Sequence, residues 1–320
     1  MITVLGSLNM DLFIETERLP RPGETVPGKN FRATPGGKGA NQAVAIARMG
    51  AEVTMLGAVG DDAFGREMLG QLSAAGVKTD AIVRREQIAS GTAMIAVDAA
   101  GQNQIVVAPG ANSTLTAADV CRDADLIRQS MALVAQLETP SDAVKTALRL
   151  AREAGVVTVL NPAPAIPLPD ELLHMCDWII PNETEAATLS GVEVKSREEA
   201  ASAARSIRQR SGAKGVAVTL GGQGVWVEHS LFTGHIPAFL VPVLDTVGAG
   251  DTFIGAFVTR LAGGAGPREA GIFASAAAAI AVTRRGAQAG IPALGEVEAF
   301  LRDSASPRAS PPGDHPPARC

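Results

Sequence analysis

Asp245 and Asp251 flank a turn of small residues, Thr246-Val247-Gly248-Ala249-Gly250, and Thr252-Phe253-Ile254-Gly255-Ala256 follows. The apolar continuation predicts a helix, and a turn running into a helix leaves its first N–H groups without intrahelical partners. Those groups, with the partial positive charge of the helix start, suit an anion. Asp251 stands where a carboxylate accepts a proton from a hydroxyl while the N–H groups of Gly248, Ala249 and Gly250 hold a phosphoryl group. Glycine there lets phosphoryl oxygens approach the backbone without meeting a Cβ. The plainer reading of Asp251 is a first-turn acid stabilised by the helix dipole.

Such a site needs a frame. Residues 2–5, 52–56, 131–137, 156–160, 178–180 and 215–220 read as short apolar strands. Residues 63–75, 141–154, 183–189, 197–211, 249–261 and 267–283 read as helices, with a further one opening at Gly36-Gly37-Lys38-Gly39 and a short one near 297–301. Strands alternating with helices predict an α/β fold with a mostly parallel central sheet covered on both faces. Segments 12–16 and 31–34 and the hairpin 92–98/104–107 predict a small separate sheet, and 224–228 with 231–235 an antiparallel hairpin near an edge of the main one. Residues 1–302 are expected to form one domain, with lid strands from about 12–34 and 92–107, and 303–320, rich in Pro, Ser and Arg, a disordered tail.

Ligands of open α/β sheets sit beyond the carboxyl ends of the strands. The residues just past the expected strands are polar or small: Asn9 and Asp11, Glu138, Asn161, Asn182 with Glu185, then Thr219 and Gly221. Their recurrence in one sense along the chain predicts a single functional rim.

Composition removes other classes. A 320-residue chain with net charge −5 and no Lys/Arg-rich run gives no reason to expect a nucleic-acid partner. No apolar run reaches the ~18 residues that span a bilayer, and the N-terminus lacks a basic leader, so no membrane partner and a cytoplasmic location are expected. Cys121, Cys176 and Cys320 are too widely spaced for a disulfide framework or zinc site, and His174, His229, His235 and His315 have no metal-ligand spacing. Gly36-Gly37-Lys38-Gly39 lacks the rest of a P-loop, the first strand is not followed by Gly-x-Gly-x-x-Gly, and no Gly-x-Ser-x-Gly elbow occurs.

As a set, Gly6–Asp11, Pro22–Val26, Gly36–Gln42, Asn161–Ala165, Pro181–Glu185, Asp245–Val258 and Arg284–Gln288 resemble the PfkB family of carbohydrate kinases, and within it the ribokinase-like members, from about Val4 to about Phe300. The resemblance implies a ribokinase-like three-layer sandwich with a small β-sheet lid. It implies transfer of the γ-phosphoryl group of ATP to O5 of D-ribose, with deoxyribose, fructose or nucleoside phosphorylation, or a non-catalytic binding role, as alternatives. Asp251 is then the base. Asn9, Asp11, Gly37, Lys38, Asn41 and Glu138 contact the sugar, where Asn9 and Lys38 alone read as a turn amide and a solvated cation. Ala93, Ile95 and Val107 lid it, and the lid sheet pairs in a homodimer. Asn182, Thr219, Leu220, Gly221, Gly222, Gln223, Gly224, Gly250, Asp251 and Ser275 line the nucleotide, although Gly221–Gly224 is equally a hairpin turn and Asn182 with Glu185 equally a helix cap. Mg²⁺ is implied, through water, near Asn182 and Glu185. K⁺ is implied at Asp245, Val247, Ala281, Arg284, Gly286 and Gly290. The chain departs from the family at Gly290, usually Ser, at Ser275, often His, and at Ile254, frequently Asn.

Overall fold

A computed structural model describes residues 1–305. Its strands are β1 (Ile2–Leu5), β2 (Asn9–Thr16), β3 (Gly28–Gly36), β4 (Val53–Gly60), β5 (Val77–Lys78), β6 (Ile82–Arg85), β7 (Gly91–Val97), β8 (Asn103–Ala108), β9 (Ala132–Ala135), β10 (Val157–Leu160), β11 (Trp178–Ile179), β12 (Gly215–Thr219), β13 (Val225–His229) and β14 (Phe232–Ile236). Among the described residues they make two sheets. The larger runs in the order β14-β13-β12-β11-β10-β9-β1-β4-β5, with β6 also on β4. It is parallel from β12 to β5, and β13 and β14 add an antiparallel hairpin at one edge.

Alternation along the strands builds the layers, because successive side chains point to opposite faces. Ile2 and Val4 of β1, Ala132 and Val134 of β9 and Val159 of β10 join one apolar cluster. Leu5, Leu133, Ala135 and Leu160 join the other. The first cluster is closed by helices Lys38–Arg48, Ala249–Ala262 and Pro267–Ala281, the second by Ser141–Glu153, Glu183–Ser190 and Arg197–Ser211. Helix on sheet on helix is the expected three-layer arrangement. Phe257, fully buried, stacks on Phe253 and meets Trp178 edge-on; fully burying a ring of this kind contributes roughly 1.5–3 kcal/mol.

The smaller sheet, β3-β2-β7-β8, forms as expected from the segments near 12–34 and 92–107. β2, β3 and β8 are longer than the sequence suggests. β2 begins at Asn9, and its parallel pairing with β7 sets Asp11 beside Ala93. β4 runs on to Gly60, wholly buried. β5 and β6 were not anticipated, since two to four residues show no period. The last helix starts at Leu294 and reaches Ala305, past the expected end of the domain; the remainder of the expected tail lies outside the described residues. No helix among the described residues is long and apolar enough to cross a membrane.

Candidate active site

Two helix starts meet at the carboxyl edge of the main sheet. Helix Ala249–Ala262 follows Gly248, whose φ of 77° lets the chain turn tightly into it. One turn along, a Cβ on Gly255 would stand 2.4 Å from the Ala45 Cβ and 3.0 Å from the Gln42 carbonyl oxygen. Only glycine lets the two helices come this close, and the contact brings Asp251 against the start of helix Lys38–Arg48. Asn41 Nδ2 donates to Asp251 Oδ2 and Gln42 Nε2 to Asp251 Oδ1, each at 2.9 Å. Burial pushes the Asp251 carboxyl upward; Lys38 and the amides of Asn41 and Gln42 work against that, and the net direction is up. Thr252 N–H opens the helical ladder by donating to the Gly248 carbonyl, and Ala249 N–H closes a turn onto Thr246. The N–H groups of Gly250 and Asp251 therefore precede the ladder without intrahelical acceptors.

On one side of Asp251 lie the residues expected around a sugar. The chain passes from β3 into helix Lys38–Arg48 through Gly37, at φ 91°, where a Cβ would meet the Asn9 amide at 2.7 Å. Lys38 is not a solvated cation. Burial opposes its charge, but Asp251, Glu138, Glu185 and Asp11 surround it and the balance raises its pKa. Asn9 is buried and is not a loose turn amide: its Oδ1 accepts from Asn112 Nδ2 at 2.9 Å. Glu138 accepts from Ser7 Oγ and from the Lys38 amide. Asp11 carries the largest consequence of this crowding. Burial first, then Glu138 and Asp251, push its carboxyl up to about 7, while Lys38 pulls the other way. Asn41 Oδ1 is buried with no partner, an acceptor aimed at nothing in the protein.

The small sheet hangs over this group. Ala93 pairs across from Asp11 and from Val107, so the three share a face, and Ile95, two residues on, shares it too. Ala93 is buried, whereas Val107 is 53% exposed.

On the other side a cavity of about 150 Å³ is lined by Lys38, Asn161, Asn182, Glu185, Thr219, Gly248, Gly250 and Asp251, all expected, and by Ala163, Ile180 and Ile254. Asn182 and Glu185 make the alternative helix cap in full: Asn182 Oδ1 accepts from the Glu185 amide and Glu185 Oε2 from the Asn182 amide, both at 2.9 Å. Burial nevertheless dominates at Glu185 and raises its carboxyl. Leu220 to Gly224 and Ser275 do not line this cavity. Leu220 packs into the second apolar cluster, and the turn reading of Gly221–Gly224 is realised, with the Leu220 amide donating to the Gly224 carbonyl.

The residues expected around a monovalent cation are gathered. Asp245 Oδ1 accepts from Val247 N–H at 3.0 Å and Oδ2 from Gly286 N–H at 2.9 Å. A Cβ on Gly290 would stand 3.2 Å from the Ala281 carbonyl oxygen and 3.8 Å from that of Arg284. A carboxylate and backbone carbonyls are hard oxygen donors that fit such an ion, and Gly290 leaves room beside those of Ala281 and Arg284. Among the described residues no three His, Cys, Asp or Glu side chains are grouped to hold a metal ion, so the surroundings of Asn182 and Glu185 fit a divalent ion only with most of its ligands drawn from water or phosphate.

Gln42, Gln136 and Asn161 complete the floor. Asn161 is visible in the sequence as a strand-end residue and Gln42 as part of a glycine-rich motif, but Gln136 has no local signal; only the fold sets it 2.6 Å from Gln42.

Comparison with known proteins places the chain in a family. Residues 1–294 match the pfkB family carbohydrate kinase. The ribokinase of Haemophilus influenzae is 45% identical over 94% of this chain and 98% of its own length. The ribokinase of Staphylococcus aureus is 43% identical over 92% and 98%. The structure of Arabidopsis thaliana ribokinase complexed with ribose and ATP superposes with a TM-score of 0.86 at 31% identity, covering 94% of this chain and 98% of that one.

Proposed function

The chain belongs to the pfkB family of carbohydrate kinases, and we propose that it transfers the γ-phosphoryl group of ATP to O5 of D-ribose, giving ribose 5-phosphate and ADP. The observation that carries the reading is Asp251: a carboxylate with raised proton affinity, open to a cavity, at the amide end of a helix and beside a cluster of sugar-type polar groups. The similarity to ribokinases named above supports ribose as the acceptor.

In this reading Asp251 accepts the proton of the O5 hydroxyl as O5 bonds to the γ-phosphorus and the bond to the bridging oxygen breaks, releasing ADP. The first-turn N–H groups at Gly248 to Asp251 hold the transferring oxygens, with Ala249, whose amide is already engaged, shaping the turn. Asp11 and Asn41 hold sugar hydroxyls; the unpartnered Asn41 Oδ1 is the acceptor one of them needs. Asn9, Lys38 and Glu138 complete the ring, and Gly37 admits the sugar to the backbone. Ala93, Ile95 and Val107 cover it and exclude water. Asn182 and Thr219 face the phosphate side, and Leu220–Gly224 and Ser275, outside that cavity, are assigned to the rest of the nucleotide. Asn182 and Glu185 would orient water on Mg²⁺, which when bound offsets phosphate charge. Asp245 and the carbonyls of Val247, Ala281, Arg284 and Gly286 would hold K⁺ beside the turn.

All six residues of β8 are exposed at the edge of its sheet, Val106 by 68%. An uncovered edge with apolar side chains favours pairing with a second copy, so we assign a homodimer through this sheet. The enzyme acts on small molecules in the cytoplasm, without nucleic acid or membrane partners.

ADP release with ATP across ribose, deoxyribose, fructose and a nucleoside, each with and without K⁺, tests the assignment. Ribose is expected to give the highest kcat/KM. No sugar-dependent ADP from any of them would overturn it.

A further inference from the structure

Gln42 cannot touch a substrate. It is fully buried, and so is Gln136 behind it. Yet Gln42 Nε2 donates to Asp251 Oδ1 at 2.9 Å and to Asn161 Oδ1 at 3.2 Å, while its Oε1 accepts from Gln136 Nε2 at 2.6 Å. The polarity of this relay is fixed from its far end. Asn161 Nδ2 lies 3.0 Å from the Ile180 carbonyl, which only accepts, and 3.4 Å from Glu185 Oε2. Asn161 must therefore present its oxygen to Gln42, and Gln42 must present its NH₂ to both Asn161 and Asp251. The reversed amide would set one oxygen against two acceptors in a buried site, leaving each unsatisfied.

The two oxygens of Asp251 thus have different partners. Oδ1 is tied to a side chain with no access to ligand. Oδ2 is tied to Asn41, whose own Oδ1 is buried and free. We propose that Gln42 is a positioning residue that locks Asp251 Oδ1, so that Oδ2 is the oxygen that takes the proton from the acceptor hydroxyl. The inference rests on Asp251 being the base, and it adds which oxygen acts and what holds it. The relay also ties the base to Glu185 through Asn161, linking the two sides of the cavity.

Removing an N–H donor from a carboxylate favours its protonated form. The charged groups facing Asp251 are Lys38 from its helix, Glu138 beyond β9, Asp11 on β2 and Glu185 across the cavity; none changes when Gln42 is replaced. The test is the pH profile of kcat for Gln42→Met, which keeps length and loses the donor, and for Gln42→Glu, which keeps shape and puts an acceptor in its place. Gln42→Met is expected to move the acid limb up by about one pH unit. On the acid side of the limb it should lower kcat about tenfold, with recovery at alkaline pH and the sugar KM within about threefold of wild type. Gln42→Glu should move the limb further the same way. A folded variant of either kind with the wild-type acid limb, or with kcat lowered equally at every pH, would overturn the proposal. Should neither fold in a thermal melt, Gln136→Met, which removes only the bond orienting Gln42, must show the same shift at smaller size, and an unmoved limb there overturns the proposal equally. Asp251→Asn is run alongside: if it keeps kcat within tenfold of wild type, the base assignment fails, a result distinct from failure of the relay.

Discussion

The floor of the site and the sheet above it are held by different physics. On the floor, Asp251 has a donor on each oxygen, Gln42 uses both ends of its amide, and Glu138 is held by a hydroxyl and an amide. Charges there are crowded and buried, so small displacements carry large electrostatic consequences. The small sheet is the opposite. β8 is exposed throughout and, among the described residues, pairs with β7 alone. Asn103 and Gln104 are followed by the apolar run Ile105 to Ala108, and among the described residues no strand pairs with its outer edge. The floor holds its charges in place through buried hydrogen bonds, whereas β8 presents an exposed edge. Changes on the floor should therefore alter rate and pH dependence, and changes on the sheet should alter association.

The largest effect belongs to Asp251. Asp251→Asn should lower kcat by at least about a hundredfold, with ribose affinity by calorimetry changed little. Equal loss of binding and rate would mean that Asp251 holds the sugar rather than acting on it.

Asp11 comes next. Its carboxyl titrates near 7 in the fold, far above an unfolded aspartate. The ionised form accepts from hydroxyls, so ribose affinity should weaken as pH falls from 8 to 6, and Asp11→Asn should weaken it by roughly ten- to a hundredfold at pH 8 and flatten the dependence. The sign for stability is reversed. A raised folded pKa gives stability that is present at low pH and lost as pH rises through 7, so Asp11→Asn should raise the melting temperature at pH 8. The penalty relieved is at most about 4 kcal/mol. A lower melting temperature there would show that the carboxylate is compensated by a partner not recognised above.

Gly255→Val tests the helix contact beneath the floor. A side chain pressed toward Ala45 should cost about 1–3 kcal/mol in stability and displace Asp251, lowering kcat more than it raises KM. Unchanged kinetics with a lower melting temperature would separate packing from positioning.

The smallest effect on chemistry should come from the sheet. Val106→Lys on β8 should convert a dimer to a monomer by sedimentation while shifting protomer stability by no more than about 0.5 kcal/mol. A wild-type chain already monomeric at micromolar concentration would remove the sheet-mediated dimer.

Much of the floor was legible in the chain. The turn before Asp251, the cap at Asn182 and Glu185 and the strand-end polar residues are local patterns, and local patterns survive folding. The alternation that defines the three layers was legible for the same reason. What could not be read is long-range. Gln42 meets Gln136 and Asn161 only because β9 lies beside β1 and β10 beside β9, and no spacing in the sequence encodes that meeting. Lys38 looked like a solvated cation because its burial depends on carboxylates brought from four other segments. The length of β3 came from pairing with β2, and that of β2 from pairing with β3 and β7, rather than from their own residues.

Phosphorus NMR of the product made from ATP and carbon-13-labelled ribose tests whether Asp251 directs the γ-phosphoryl group onto O5 of ribose. One phosphomonoester signal coupled to C5, formed by the wild type and absent over the same interval with Asp251→Asn, is the predicted result. Phosphate on another carbon, free phosphate in place of a sugar ester, or the same product at the same rate from Asp251→Asn would contradict it.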